Sequence, residues 1–260
     1  MAASVSSALE GLPRSLGQFI RAWLRRLVEL QVVERSVAIG SYAFTALIPL
    51  LTVYGALASK AGAAGFADRL SRRFKLTGSA AASVHEAFAP PGAVVDSITA
   101  LSIILLAASA LTLTRGLQRL YQSAYGLRAV GVRGTPWGLL WLVLIPIFLE
   151  ARALITTVSH GLLATVLAVA LGAIGWTVTP YVLLGRRLHW KVLLPGGLVT
   201  AAAMSVLTAV SVVYVPRSVA SSAAHYGLIG VAFAFLGWLI ACGFALVGAA
   251  AAGAVLARRP

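Results

Sequence analysis

Two charges, Glu150 and Arg152, lie inside an apolar run that extends from Trp137 to about Val158. A charged side chain at the centre of a hydrocarbon layer costs about 2.5–3.5 kcal/mol on insertion scales, so a carboxylate there is a candidate functional group. Glu150 stands about six to eight residues from the far end of the run, roughly 9–12 Å along a helix axis. Arg152 is two positions on, hence on another face, and is not placed to pair with it. Either Glu150 meets another partner or a water-filled cavity, or the helix ends near Leu149 and both charges sit at the membrane interface.

The remaining reactive side chains assemble no recognisable chemistry. The four histidines and seven acids are scattered without metal-ligand spacing, and no phosphate-binding loop is present. Ser159-His160 is adjacent in a turn with no acid close in sequence. The expectation is a protein that is not an enzyme and holds no cofactor or metal. His225, beside Tyr226-Gly227, reads either as an interfacial side chain in a polar loop or as a pH-responsive or ligand-binding group. Cys242 is the single cysteine and lies mid-run, which suits a small core residue and excludes an internal disulfide. Pro49, Pro146 and Pro180 interrupt three apolar runs and kink them. Together with Tyr42 and Glu150 they nominate a transport path between kinked helices.

Such residues need a scaffold, and the composition dictates its kind. With 60% apolar and 11% charged residues and a mean hydropathy of +0.92, the chain lies outside the soluble range, where charged residues approach a quarter. A bilayer accepts that surface. The formal charge of +14 sits at the edges of apolar runs, not in a basic stripe interleaved with aromatics, so nucleic acid is not an expected partner. The first 35 residues lack the uninterrupted apolar core and cleavage site of a secretory signal.

The expected fold is all-α, a polytopic membrane bundle of six transmembrane helices. Residues 1–35 form a cytoplasmic N-terminal segment in which Leu16, Phe19, Ile20, Trp23, Leu24, Leu27 and Leu30 recur at helical spacing among Arg21, Arg25 and Arg26. That pattern suits an interfacial helix, or one packed on the protein's own cytoplasmic face. The membrane domain covers 36–256, with spans at about 36–59, 97–114, 137–158, 162–184, 192–215 and 227–256, each near the roughly 20 residues a bilayer requires. Between the first two, Lys60–Val95 reads as two short amphipathic outer helices broken at Thr77-Gly78, and Asp96 or Ser97 is placed to cap the second span. Pro216 to His225 reads as a polar outer loop, and 257–260 as a basic tail. Leu47-Ile48-Pro49-Leu50 against Leu144-Ile145-Pro146-Ile147 is a weak sign of an internal repeat. Small residues crowd the last two spans, which permits close helix contact.

Orientation follows from charge. With the N-terminus inside, Arg14, Arg21, Arg25, Arg26, Arg35, Arg115, Arg119, Arg128, Arg133, Arg186, Arg187, Lys191, Arg258 and Arg259 are all cytoplasmic. Those fourteen are two thirds of the 21 basic residues, so both termini should be cytoplasmic. Arg115, Arg119, Arg186, Arg187 and Lys191 flank the spans where anionic lipid headgroups would lie.

The fourth to sixth spans resemble the YihY/BrkB family of bacterial inner-membrane proteins, once labelled ribonuclease BN. Pro180, Trp190, Pro195-Gly196, Tyr214, Tyr226-Gly227, Trp238 and Gly248-Ala249 fall in the family's order and spacing. Tyr42 and Pro49 match its first-span pattern, and Leu117, Gln118 and Tyr121 fit more loosely. The resemblance spans about Ser36 to Leu256. It departs at Ala250, where the family often has an acid, and at Glu150, where a small residue is common. The resemblance implies a six-span bundle in the bacterial cytoplasmic membrane and leaves the activity open, and no catalytic constellation answers to the ribonuclease label. Two functions follow as expectations. One is a transporter or lipid-handling protein with membrane lipids as partners. The other is a non-transporting scaffold or envelope-integrity factor that assembles with envelope proteins or further copies of itself.

Overall fold

A computed structural model describes residues 14–57, 71, 72, 78, 81, 82, 85, 95–158 and 161–257. Those residues build an all-helical fold with no strand among them. Helix α1 is Arg14–Glu29, α2 Val32–Leu57, α3 Val95–Ala124, α4 Thr135–Val158, α5 Gly161–Leu183 and α6 Trp190–Leu256. A short 3-10 turn, Gly131–Gly134, precedes α4.

The connections are made by left-handed residues and caps. Gln31, with φ 52°, separates α1 from α2. Helix α3 stops at Gly126 (φ 69°), where the Leu127 amide reaches back to the Gln122 carbonyl at 2.8 Å and Gly126 to Ser123 at 3.2 Å. Helix α5 stops the same way at Gly185, with the Arg186 amide on the Tyr181 carbonyl at 2.9 Å. Both are Schellman ends, which satisfy carbonyls the helix leaves open. His189 then caps α6, its Nδ1 accepting from the Lys191 amide.

Helix α6 is a hairpin. Gly227 (φ 57°, ψ −137°) breaks it, and the two limbs return antiparallel. Gly196 lies against Gly253, and Trp238 Nε1 donates to Ser211 Oγ at 2.6 Å. Near the bend, Val215 and Val219 pack on Val231 and Phe235, with Phe44 and Ala81 beside them.

The helices close a ring. α2 packs on α3, α3 on α4, α4 on α5, α5 on α6, and α6 returns to α2. Small residues set the tightest contacts: Gly197 against Thr177 joins the first limb of α6 to α5, while Gly40 and Gly243 join α2 to the second limb. The main core, with Leu120, Tyr121, Leu183, Leu184, Leu193, Val247 and Ala251, lies at the end where α1 crosses the bundle.

Four stretches among the described residues are long and apolar enough to cross a membrane: Gly131–Phe148, Val166–Leu183, Trp190–Gly227 and Ile229–Leu256. The expected first and second spans overlap α2 and α3, which are not among these four stretches. Helix α3 runs on past Thr114, where the second span is expected to end, as far as Ala124. The charge ends the apolar layer and not the helix, because Arg115 donates to Thr135 Oγ1 and Gln118 to the Gly134 carbonyl. The loop expected at Pro216–His225 is helical up to the bend at Gly227. Apolar packing of Val215 and Val219 offsets the amide missing at Pro216. Asp96 and Ser97 follow Val95, the first described residue of α3, and the residues before it that would decide the cap lie outside the described residues. Residues 1–13, most of the Lys60–Val95 segment, Ser159, His160 and the 258–260 tail lie outside the described residues, although Gly78 there has φ 59° at the break expected in it.

Candidate functional site

Helix α1 sits across one end of the ring and is tied there by two side chains. Trp23 Nε1 donates to the Gly248 carbonyl at 2.9 Å. The Arg26 guanidinium donates to the Ser123 and Ala124 carbonyls, each at 2.7 Å, a cation on the negative end of α3. Arg26 also forms an ion pair with Glu29. Of the two placements open to this amphipathic segment, packing on the protein's own end is therefore realised. Leu16, Leu24 and Val28 nevertheless remain exposed along its flank, beside Arg21 and Arg25.

The same end collects the arginines. Arg187 donates to the Arg128 carbonyl at 2.8 Å, and Arg186 donates to the Tyr181 hydroxyl at 3.1 Å with its charge over that ring. Arg115 holds Thr135. Lys191 lies 5.8 Å from the Trp190 ring centre. These four side chains mostly secure the helix connections.

Arg35 and Arg119 are placed differently. They line a groove of about 580 Å³ between α2 and α3. On α2 the lining follows helical spacing through Arg35, Ala38, Ile39 and Tyr42; on α3 it follows Gly116, Arg119, Leu120 and Ser123. Arg35 donates to the Arg119 carbonyl at 3.3 Å and to Ser123 Oγ at 3.1 Å, while its Nε is buried without a partner. Burial lowers the Arg35 pKa, and the neighbouring charge of Arg119 lowers it further. Glu34, exposed, lines the mouth. Tyr42 closes the apolar end, its ring lying so near Gly116 that a side chain there would touch it at 3.0 Å. The groove is thus cationic at its α1 end and apolar towards the middle of α2. A smaller cleft of about 400 Å³ under α1 is lined by Gln18, Arg25, Arg26, Glu29, Ala254 and Val255, but Arg26 there is committed to Glu29 and to α3.

A model of the virulence factor BrkB family matches residues 23–260. The chain belongs to the BrkB family. Comparison with curated proteins and comparison with solved structures give no match.

In this BrkB-family protein the nominated path residues whose side chains are described lie on different parts of the bundle. Glu150 is exposed on α4, and Pro146 is exposed a turn earlier. Pro180 is buried on α5, beside Thr179, which accepts a hydrogen bond from Trp141 Nε1 at 3.2 Å. Residue 141 and Glu150 are nine positions apart, so Pro180 and Glu150 stand about 13 Å apart along the bundle. Pro49 lies within α2. Helix α4 continues to Val158, which removes the alternative that it ends near Leu149. Of the nominated path residues, Tyr42 reaches the groove, joined by Arg119 from the arginines assigned to headgroups.

The family-pattern residues divide by role. Gly196, Gly227, Trp238 and Gly248 hold the hairpin and α1, as described above, and Pro195 lies in the second turn of α6. Trp190, Tyr214 and Tyr226 are exposed, Tyr226 at 74%. Arg35 was not singled out as a site residue from sequence. The available signal was its position seven residues before Tyr42, on the same helical face.

Proposed function

We propose that this chain is a six-span protein of the bacterial cytoplasmic membrane, with both termini cytoplasmic, that takes up lipids or other amphiphiles sideways through the α2–α3 groove. The observation that carries the reading is the polarity gradient along the groove, from Arg35 and Arg119 to Ala38, Ile39 and Tyr42. An amphiphile has the same gradient, and its orientation in a bilayer follows the helix axes. Six spans are supported by the 26 and 30 residues of α2 and α3 beside the four apolar stretches. The gathering of arginines at the α1 end supports cytoplasmic termini. No catalytic step is part of this reading.

The test is reconstitution of the full chain in vesicles carrying a fluorescent phospholipid in one leaflet. Transfer to the other leaflet faster than in protein-free vesicles is expected; equal rates remove lipid handling.

The exposure of Glu150 beside the apolar outer face of α4 (Leu139, Leu140, Val143 and Ile147 are also exposed) favours a second reading. In it the protein is a scaffold that docks envelope partners or copies of itself along α4. Substitution Glu150→Gln separates the two, because it leaves groove-based lipid transfer unchanged and alters co-purification only in the scaffold reading.

A further inference from the structure

Arg35 and Arg119 present an electrostatic arrangement that the folded chain itself does not complete. Neither forms an ion pair with a described carboxylate. Arg35 is half-buried with its Nε unpartnered, and two of its four terminal N–H donors go to an uncharged carbonyl and a hydroxyl, which leaves two for a ligand. Arg119 is exposed, with its Nε on the Arg115 carbonyl at 3.3 Å, so its terminal nitrogens are open to a ligand. Two neighbouring guanidinium groups repel, and a partly buried cation without a counter-charge is costly. Glu34 is the single acid lining the groove and is itself exposed, so the lining keeps a net positive charge. Guanidinium forks match phosphate oxygens in geometry as well as charge.

We propose that the cationic end of the α2–α3 groove is a phosphate site, where Arg35 and Arg119 hold the phosphate of an anionic amphiphile whose apolar part lies along Ala38, Ile39 and Tyr42. This assignment rests on the lipid-handling reading and names its substrate class. The buried amide of Gln122 and the side chain of Gln31 border the same end and supply neutral donors for the oxygens that the arginines leave free. The apolar wall distinguishes an amphiphile from free phosphate, which would use the arginines alone.

The experiment measures binding to the full chain in a neutral detergent by native mass spectrometry. The ligands are dioleoyl phosphatidylglycerol, dioleoylglycerol with the same chains and no phosphate, and inorganic phosphate. Phosphatidylglycerol is expected to bind about tenfold or more tightly than dioleoylglycerol, the usual scale for a charge-assisted pair. Arg35→Gln and Arg119→Gln should each lose about that factor, and Arg133→Gln, on the 3-10 turn, should lose nothing. Arg119→Lys keeps the charge and should retain part of the preference, which guards against misfolded glutamine variants. Equal binding of the two lipids, or full binding by both glutamine variants, overturns the phosphate assignment and leaves lipid handling standing. Inorganic phosphate binding as tightly as the lipid keeps the arginine site but overturns the amphiphile. No binding of any of the three overturns both.

Discussion

The indole nitrogen of Trp23 donates to the carbonyl of Gly248 at 2.9 Å, joining two helices 225 positions apart in sequence. That bond, with the Arg26 guanidinium on the last carbonyls of α3, seats α1 on the bundle and sets its arginines beside the ends of α3 and α6. The amphipathic pattern alone leaves the seat undetermined.

Replacing Trp23 by Phe keeps an aromatic ring but removes the donor and part of the indole's contact with the core. A loss of at least about 0.5–1.5 kcal/mol is expected, the net worth of the hydrogen bond alone. Faster proteolysis within α1, with the rest of the chain resistant, is the readout. Unchanged cleavage would show that apolar contact alone holds the helix.

Gly227 isolates a backbone effect. A methyl group there would meet no atom within 4 Å, yet its φ of 57° with ψ −137° suits glycine alone. Gly227→Ala should therefore lower stability by about 1–3 kcal/mol, seen as a lower thermal midpoint in detergent. A midpoint equal to that of the parent would mean that the bend re-forms at another residue.

Close approach predicts a different pattern within α6. At Gly197 a side chain would collide with Thr177, whereas Gly237 faces open space. Gly197→Ala should cost about 1–3 kcal/mol through overpacking, and Gly237→Ala should be neutral or gain up to about 1 kcal/mol from helix propensity. Thermal midpoints of the two variants in one detergent decide it; equal shifts would refute the seating of α6 on α5.

Alkaline pH should loosen the α1 end. Burial pushes the Tyr125 pKa up to about 12, and burial with the nearby Tyr125 charge raises that of Tyr121 further. A raised folded pKa favours the protonated form. The stabilisation is therefore complete below pH about 10, where an unfolded tyrosine ionises, and is lost as pH climbs towards 12. The thermal midpoint should fall across that window, and less steeply in Tyr125→Phe. A fall of the same slope in Tyr125→Phe would assign the transition to other groups.

Much of the architecture was legible because a bilayer imposes strong rules on sequence. Runs near 20 apolar residues, the basic pair Arg186 and Arg187 between two of them, and the Gly-Ala density of the last helices all announce helices that cross or pack closely. The family was legible for a related reason: Pro180, Trp190, Gly196, Tyr226-Gly227 and Trp238 occupy bends, ends and crossings that tolerate few alternatives. Helix ends were less legible. A charge marks where the apolar layer stops, whereas a helix stops where its last carbonyls find other donors, as at Gly126 and Gly185.

The site was hardest to read. Glu150 drew notice through the cost of charge in hydrocarbon, yet it is exposed on α4 and stands apart from Pro180. Arg35 drew none, because in the sequence it is one of several arginines before an apolar run. The sequence by itself determined an all-helical, membrane-length chain with most of its basic residues at the edges of apolar runs, since hydropathy and charge are properties of single segments. Which arginines would face each other was decided by the tertiary structure alone. Pairing Arg35 with Arg119 depends on the antiparallel register of α2 on α3, and that register is set by contacts such as Tyr42 on Gly116 that act between segments far apart in the chain.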